Sequence, residues 1–190
     1  MTVGTLYVCR YVELENAKNI IAHFKAQGFN KCVKPEDLHT TITYSRFHVN
    51  WEDMGTDIYQ DNDGRIIVPA GQDPRSVAPI GDEGAVVMHF VSTAIVVRHN
   101  EMIRLGASWD YSSYNPHLTI SYNGEGIDLA NVKPWEGDII LGPEKFDTLK
   151  ENWSSTIEEA NDEGEHYEQI LTEEAMVTIE NEIIRKVSDV

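Results

Sequence analysis

No run of about 18 consecutive apolar residues occurs in this 190-residue chain, so no membrane-spanning helix and no membrane partner are expected. The start, MTVGTLYVCRYVELEN, has no basic segment followed by an apolar one. No secretory signal is therefore expected, and the cytoplasm is the expected compartment. Cysteine is scarce: Cys9 and Cys32 are too few for a disulfide framework and read as small buried thiols in a reducing interior. Positive charge is scarce too, with 15 Lys and Arg against 32 Asp and Glu, a formal net charge of −17. That excludes a long nucleic acid as partner, because such binding rests on many Lys and Arg side chains neutralising phosphates. A small anion in a pocket is not excluded, since a few placed donors can meet its charge. Glycine-rich phosphate loops of the P-loop or Rossmann type are absent. His48, His89, His99 and His166 fall at no metal-ligand spacing with cysteine or paired carboxylates, so neither a metal nor another cofactor is expected.

What is present is a chain long enough for one domain with an appendage. Leu6 to Val12 reads as a strand, and Asn16 to Gln27 as a helix with Ala17, Ile20, Ile21 and Phe24 as its apolar stripe. Residues 38–44 form a second expected strand. Residues 45–84 are rich in glycine, proline and aspartate, which predicts an insert of turns around one short strand, Arg65 to Val68. Strands are expected over Ala85 to Phe90, Ser92 to Val97, Tyr114 to Tyr122, Asp138 to Leu141 and Glu144 to Leu149. A short helix is expected from Asn100 to Leu105, stopped at Gly106. Beyond residue 155 the chain turns acidic: residues 151–190 carry twelve acids against two bases. Within that extension Met176, Ile179, Ile183 and Val187 recur at helical spacing, an amphipathic stripe suited to packing on a second copy as a homo-oligomer. The element order predicts an α+β fold with an antiparallel or mixed sheet and flanking helices. The expected division is a catalytic domain over 1–155, with the insert 45–84, and an acidic extension over 156–190.

One internal echo carries the chemistry. Leu38-His39-Thr40-Thr41-Ile42-Thr43-Tyr44 is matched, 78 positions later, by Pro116-His117-Leu118-Thr119-Ile120-Ser121-Tyr122. Residues i and i+2 of a strand share a face, so His39 projects with Thr41 and His117 with Thr119, while Ile42 and Ile120 point to the opposite face. A single His-x-Thr on a strand means little, because threonine favours strands. The second copy, with matched isoleucine and tyrosine, changes that. If the two strands neighbour one another, two imidazoles and two hydroxyls converge. Such a set suits phosphodiester chemistry. One neutral histidine takes a proton from the attacking oxygen, and one protonated histidine gives a proton to the leaving oxygen. The threonine hydroxyls donate to the non-bridging oxygens, where charge must be held.

These paired strands resemble those of the 2H phosphoesterase family. Tyr114-Asn-Pro-His117-Leu-Thr119-Ile-Ser-Tyr122 is similar to the form found in a phage-associated branch, as are Arg98-His99-Asn100, Gly106-Ala107, Asp110-Tyr111 and Leu141-Gly142-Pro143-Glu144. Within that branch the chain resembles the anti-CBASS phosphoesterases, viral enzymes that destroy the cyclic oligonucleotide signals of bacterial defence. The resemblance covers roughly residues 3–155. It implies a two-lobed, pseudo-twofold sheet fold with the histidines in a central cleft. It also implies metal-independent hydrolysis of a small cyclic oligonucleotide, in the host cytoplasm for a viral enzyme.

Other residues are weaker candidates. Arg46, just past the first motif, could reach a phosphate. Tyr7 and Tyr11 share a strand face on which one could stack on a base, and Trp109 or Trp51 could do the same. Glu144 could accept from a base edge, although a solvated carboxylate is its default. Three other functions fit less well: a 2′,3′-cyclic phosphodiesterase on RNA ends, a non-catalytic nucleotide sponge, and an interaction protein working through its tail helix. The low positive charge argues against large RNA, and intact His and Thr in both motifs argue against a sponge.

Overall fold

In the computed structural model, residues 2–80 and 84–149 are described. The acidic extension with its Met176–Val187 stripe, Trp153 and His166 lie outside these residues. Nine principal elements run β1 (Val3–Val12), α1 (Leu14–Lys25), β2 (His39–Asn50), β3 (Ile66–Val68), β4 (Ser76–Ile80), β5 (Ala85–His89), α2 (Thr93–Arg104), β6 (His117–Ser121) and β7 (Ile139–Asp147). They build two antiparallel sheets, ordered β2-β1-β7-β3 and β4-β5-β6, with two helices. This is the expected α+β class. A shared core of Leu6, Val8, Ile20, Phe24, Ile42, Met88, Leu118 and Ile120 fills the space between the layers.

Several local expectations are corrected. Ser92 to Val97 is not a strand: Ser92 caps α2, its hydroxyl accepting from the Ile95 amide at 3.5 Å. Burial of Ile95, Arg98, His99 and Met102 at positions i, i+3, i+4 and i+7 outweighs the strand preference of Val96 and Val97. The stretches 138–141 and 144–149 are one strand, β7, passing through Gly142 and Pro143. There β1 shifts register between Arg10 and Val12, an irregularity that tolerates a proline with no N–H to give. The insert holds more sheet than expected: β2 runs on to Asn50, and the insert carries β4, paired with β5, as well as β3, paired with β7.

The echo proves to be a structural repeat. The offset of 78 maps Tyr11 opposite His39 onto His89 opposite His117, and Cys9 opposite Thr41 onto Val87 opposite Thr119. It also maps the four buried residues of α1, Ala17, Ile20, Ile21 and Phe24, onto the four of α2. Each motif strand skips one residue in its pairing, Ile42 in β2 and Ile120 in β6, a matched pair of β-bulges. In β2 the bulge keeps Ile42 in the main core and turns Tyr44 to the face that carries Thr41, where it packs with Tyr7.

Two buried arginines hold the insert down. Arg10 donates to the Gly64 and Gly142 carbonyls, each at 2.7 Å, and to Asp57 at 2.9 Å. Arg98 donates to the Met54 carbonyl at 2.8 Å and the Gly55 carbonyl at 3.1 Å. Among the described residues no helix is long and apolar enough to cross a membrane.

Candidate active site

The motif strands β2 and β6 lie against each other at the seam between the sheets. The seam is stitched by polar contacts. The Tyr114 hydroxyl donates to the Thr41 carbonyl at 2.6 Å, and the Val33 amide donates to the carbonyl of the bulged Ile120 at 2.9 Å. The carbonyl of the bulged Ile42 lies 2.8 Å from Nδ1 of His99, whose ring stacks on Tyr114 at 4.0 Å. A carbonyl can only accept, so His99 carries its proton on Nδ1. Burial pushes the His99 imidazole below its usual range and the Tyr114 phenol above its own.

Both motif histidines are held alike. Nδ1 of His39 lies 2.7 Å from the Asp37 carbonyl, and Nδ1 of His117 lies 3.0 Å from the Asn115 carbonyl. In each case the acceptor two residues upstream fixes the proton on Nδ1, which leaves Nε2 as the nitrogen for proton exchange. The approach to each histidine is fixed alike as well. The Val12 amide donates to the Leu38 carbonyl at 2.8 Å, and the Phe90 amide to the Pro116 carbonyl at 3.1 Å.

The surroundings of the two histidines differ. Around His39, Nε2 is 3.0 Å from the Tyr7 hydroxyl, which is itself 2.8 Å from the Thr41 hydroxyl. When His39 is neutral its lone pair accepts from Tyr7, and Tyr7 in turn accepts from Thr41. The Tyr11 ring lies 5.0 Å from the His39 ring, and the Lys145 ammonium sits 4.3 Å from the Tyr11 ring centre. Around His117 the neighbour is His89, ring centres 5.7 Å apart. Burial lowers the His89 pKa, and the proximity of His117 adds to that. Thr119 is buried on the strand face of His117.

Of the sequence candidates, Tyr7, Tyr11, His39 and Thr41 form one cluster, and Trp109 packs against it through Tyr44, ring centres 4.7 Å apart. Trp109 also lies edge-on to His99 and Tyr114, so it belongs to the aromatic wall of the seam. Trp51 packs on Phe146 elsewhere. Arg46 is engaged: it donates to Asp110 at 2.7 Å, and the Tyr44 hydroxyl donates to the same carboxylate at 3.0 Å. Glu144 is neither solvated nor turned to a base edge. Its two oxygens accept from Arg98 at 2.8 and 2.9 Å, and its side chain is 8% exposed. Sequence reasoning missed His89, Tyr114, Asp110 and Lys145 as members of the site. The repeat offset applied to Tyr11 would have pointed to His89. Among the described residues no group of three His, Cys, Asp or Glu side chains is arranged to hold a metal.

A family model described as "Anti-CBASS protein Acb1" matches residues 4–156. The chain belongs to the anti-CBASS Acb1 family. Relatives called anti-CBASS protein Acb1 include one from Caulobacter sp. (strain RHG1), 45% identical over 81% of this chain and 24% of its own length. Another, from Sphingomonas paeninsulae, is 46% identical over 82% of this chain and 24% of its own length. The chain thus spans about a quarter of those two relatives. The Acb1 protein of Salmonella phage S16 is 30% identical over 63% of this chain and 72% of its own length. The chain also shares its fold with Escherichia coli LigT complexed with NADP+, at a TM-score of 0.52 and 12% identity, covering 76% of this chain and 87% of that one. That likeness agrees with the α+β fold expected from the element order.

Proposed function

We propose that this chain is a metal-independent phosphodiesterase that opens cyclic di- or oligonucleotide signals of bacterial anti-phage defence. Membership of the Acb1 family supports the substrate class. The observation that carries the chemistry is the matched holding of His39 and His117 on strands that meet at one seam, each with Nδ1 engaged and Nε2 left to move a proton. One histidine takes the proton of the attacking hydroxyl while the other protonates the oxygen that leaves phosphorus. Concerted use of both requires one neutral and one charged ring. Thr41 and Thr119, two positions on from each histidine, donate to the non-bridging oxygens as negative charge builds. Tyr7 steadies His39 through its hydroxyl, and Tyr11 and Trp109 offer ring faces for the bases.

The test is incubation of the full chain with a panel of cyclic dinucleotides and trinucleotides in excess EDTA, read by mass spectrometry. Linear products at undiminished rate are expected. Abolition by EDTA with rescue by a divalent ion would refute the metal-free mechanism. A panel that stays intact with or without divalent ions would refute the substrate assignment. A deoxyribose version of the cleaved compound distinguishes nucleophiles: resistance with retained binding identifies the 2′-hydroxyl, and equal cleavage identifies water.

A further inference from the structure

The chain is strongly acidic, yet the substrate proposed for it is an anion. The cationic group that would meet that anion is therefore a question the motif residues leave open. Arg10 and Arg98 are buried and spent on carboxylates and carbonyls. Arg46 reaches the same strand face as Tyr44 but is locked to Asp110. Lys145 differs. It stands on β7 directly opposite Cys9 of β1, and Cys9 stands directly opposite Thr41 of β2. Residues paired across antiparallel strands share a face, so Lys145, Cys9 and Thr41 form one row across the sheet. The Lys145 side chain is drawn over Tyr11, the ring that also borders His39. Among the described residues its ammonium makes no ion pair. A cation resting on a ring face is held without a counter-charge, so it can meet an incoming anion without first breaking a salt bridge.

We propose that Lys145 is a substrate-binding residue that contacts a phosphate of the cyclic nucleotide beside His39. The substrate identity rests on the function proposed above; the cationic subsite itself does not. Lysine suits this place because its ammonium is a mobile point charge, whereas a carboxylate-locked arginine is not. The Tyr11 face positions the ammonium before substrate arrives, and the methylene stem can stay on the ring while the charge swings to the phosphate.

The experiment has two arms on the full chain. In the first, inorganic pyrophosphate, a probe with no sugar or base, is titrated while the side-chain NMR signals of Lys145 are followed. Those signals are expected to move and saturate. In the second, turnover of 3′,3′-cyclic GMP–AMP is compared among wild type, Lys145→Met and Lys145→Arg. Methionine keeps an apolar stem against Tyr11 and removes only the charge. Lys145→Met is expected to raise KM about tenfold with kcat changed less than about twofold, as for loss of a charge-assisted contact made equally in ground and transition states. The rise of KM with added salt should flatten in the same variant. Lys145→Arg should stay near wild type in KM. Pyrophosphate that leaves the Lys145 signals unmoved overturns the proposal, as does a Lys145→Met KM and salt response equal to wild type. Moving signals with no turnover of any cyclic nucleotide would instead refute the phosphodiesterase reading and leave the cationic subsite standing.

Discussion

At the four places where α1 buries Ala17, Ile20, Ile21 and Phe24, α2 buries Ile95, Arg98, His99 and Met102. The flanking strands diverge in the same way, with Arg10 in β1 where β5 has Met88, and Tyr11 where β5 has His89. What stays constant is the apparatus around each motif histidine: the carbonyl on Nδ1, the amide that fixes the preceding residue, the bulge at isoleucine and the threonine two positions on. The comparison separates two demands on one frame. The geometry that holds the two motif histidines is kept in both halves. Whatever must hold non-equivalent parts, the insert and the seam, is built from departures at single positions. Arg98 and Arg10 both donate into the insert, and Glu144 sits between them, bonded to Arg98 and 3.8 Å from Arg10. His99 spans from its helix to the Ile42 carbonyl of the opposite half.

The largest effect is expected from erasing this asymmetry. Arg98→Ile gives α2 the residue of α1 but strands the buried Glu144 carboxylate and the carbonyls of Met54 and Gly55. A loss of about 3–5 kcal/mol in urea unfolding is expected, the range for breaking a buried pair from one side. Ile20→Val, at the equivalent place in α1, removes one methyl and is expected to cost only about 0.5–1.5 kcal/mol. Similar losses for the two would show that Arg98 is incidental to stability.

The symmetric part is tested by His39→Ala and His117→Ala. Each is expected to lower turnover about a hundredfold or more with the fold retained, the scale of a missing general acid or base. Near wild-type turnover in either, measured on the cyclic nucleotide that the panel identifies, would end the two-histidine mechanism. Thr41→Val and Thr119→Val probe the same symmetry at smaller amplitude. Each should cost about 1–3 kcal/mol in transition-state stabilisation, as for a lost hydrogen bond to a charged group. Because Thr41 also bonds Tyr7, its variant should alter the pH profile of turnover relative to wild type. Identical profiles would place Tyr7 outside the proton path.

The smallest effect concerns the imidazoles found in one half only. His89 and His99 both have pKa values lowered by burial, so the folded chain binds fewer protons there than the unfolded chain. Their contribution is fully present above the ordinary imidazole pKa of about 6.5 and is lost as pH falls below that toward the folded values. Urea midpoints measured at pH 7.5 and 5.5 should show the drop, and His99→Gln should reduce it. An unchanged difference in that variant would assign the acid sensitivity to other groups.

Much of this protein was legible in one dimension. The His-x-Thr-Ile echo stood out because a strand face is written in a period of two, and both copies keep that period. The acidity is a property of composition alone. Local rules failed where a residue's partner lies far along the chain. Val96 and Val97 favour a strand, yet the Ser92 cap and the buried face of α2 made a helix. Glu144 looked like a surface carboxylate until Arg98, 46 positions away, enclosed it.

The sequence by itself determined that two strands would carry the same histidine, threonine and isoleucine, because that information is local and repeated. Only the tertiary structure decided what stands beside each histidine: the Tyr7 hydroxyl and Tyr11 ring at His39, and a second imidazole at His117. Those neighbours come from other strands, and their register is set by bulges and by core packing that no single strand encodes.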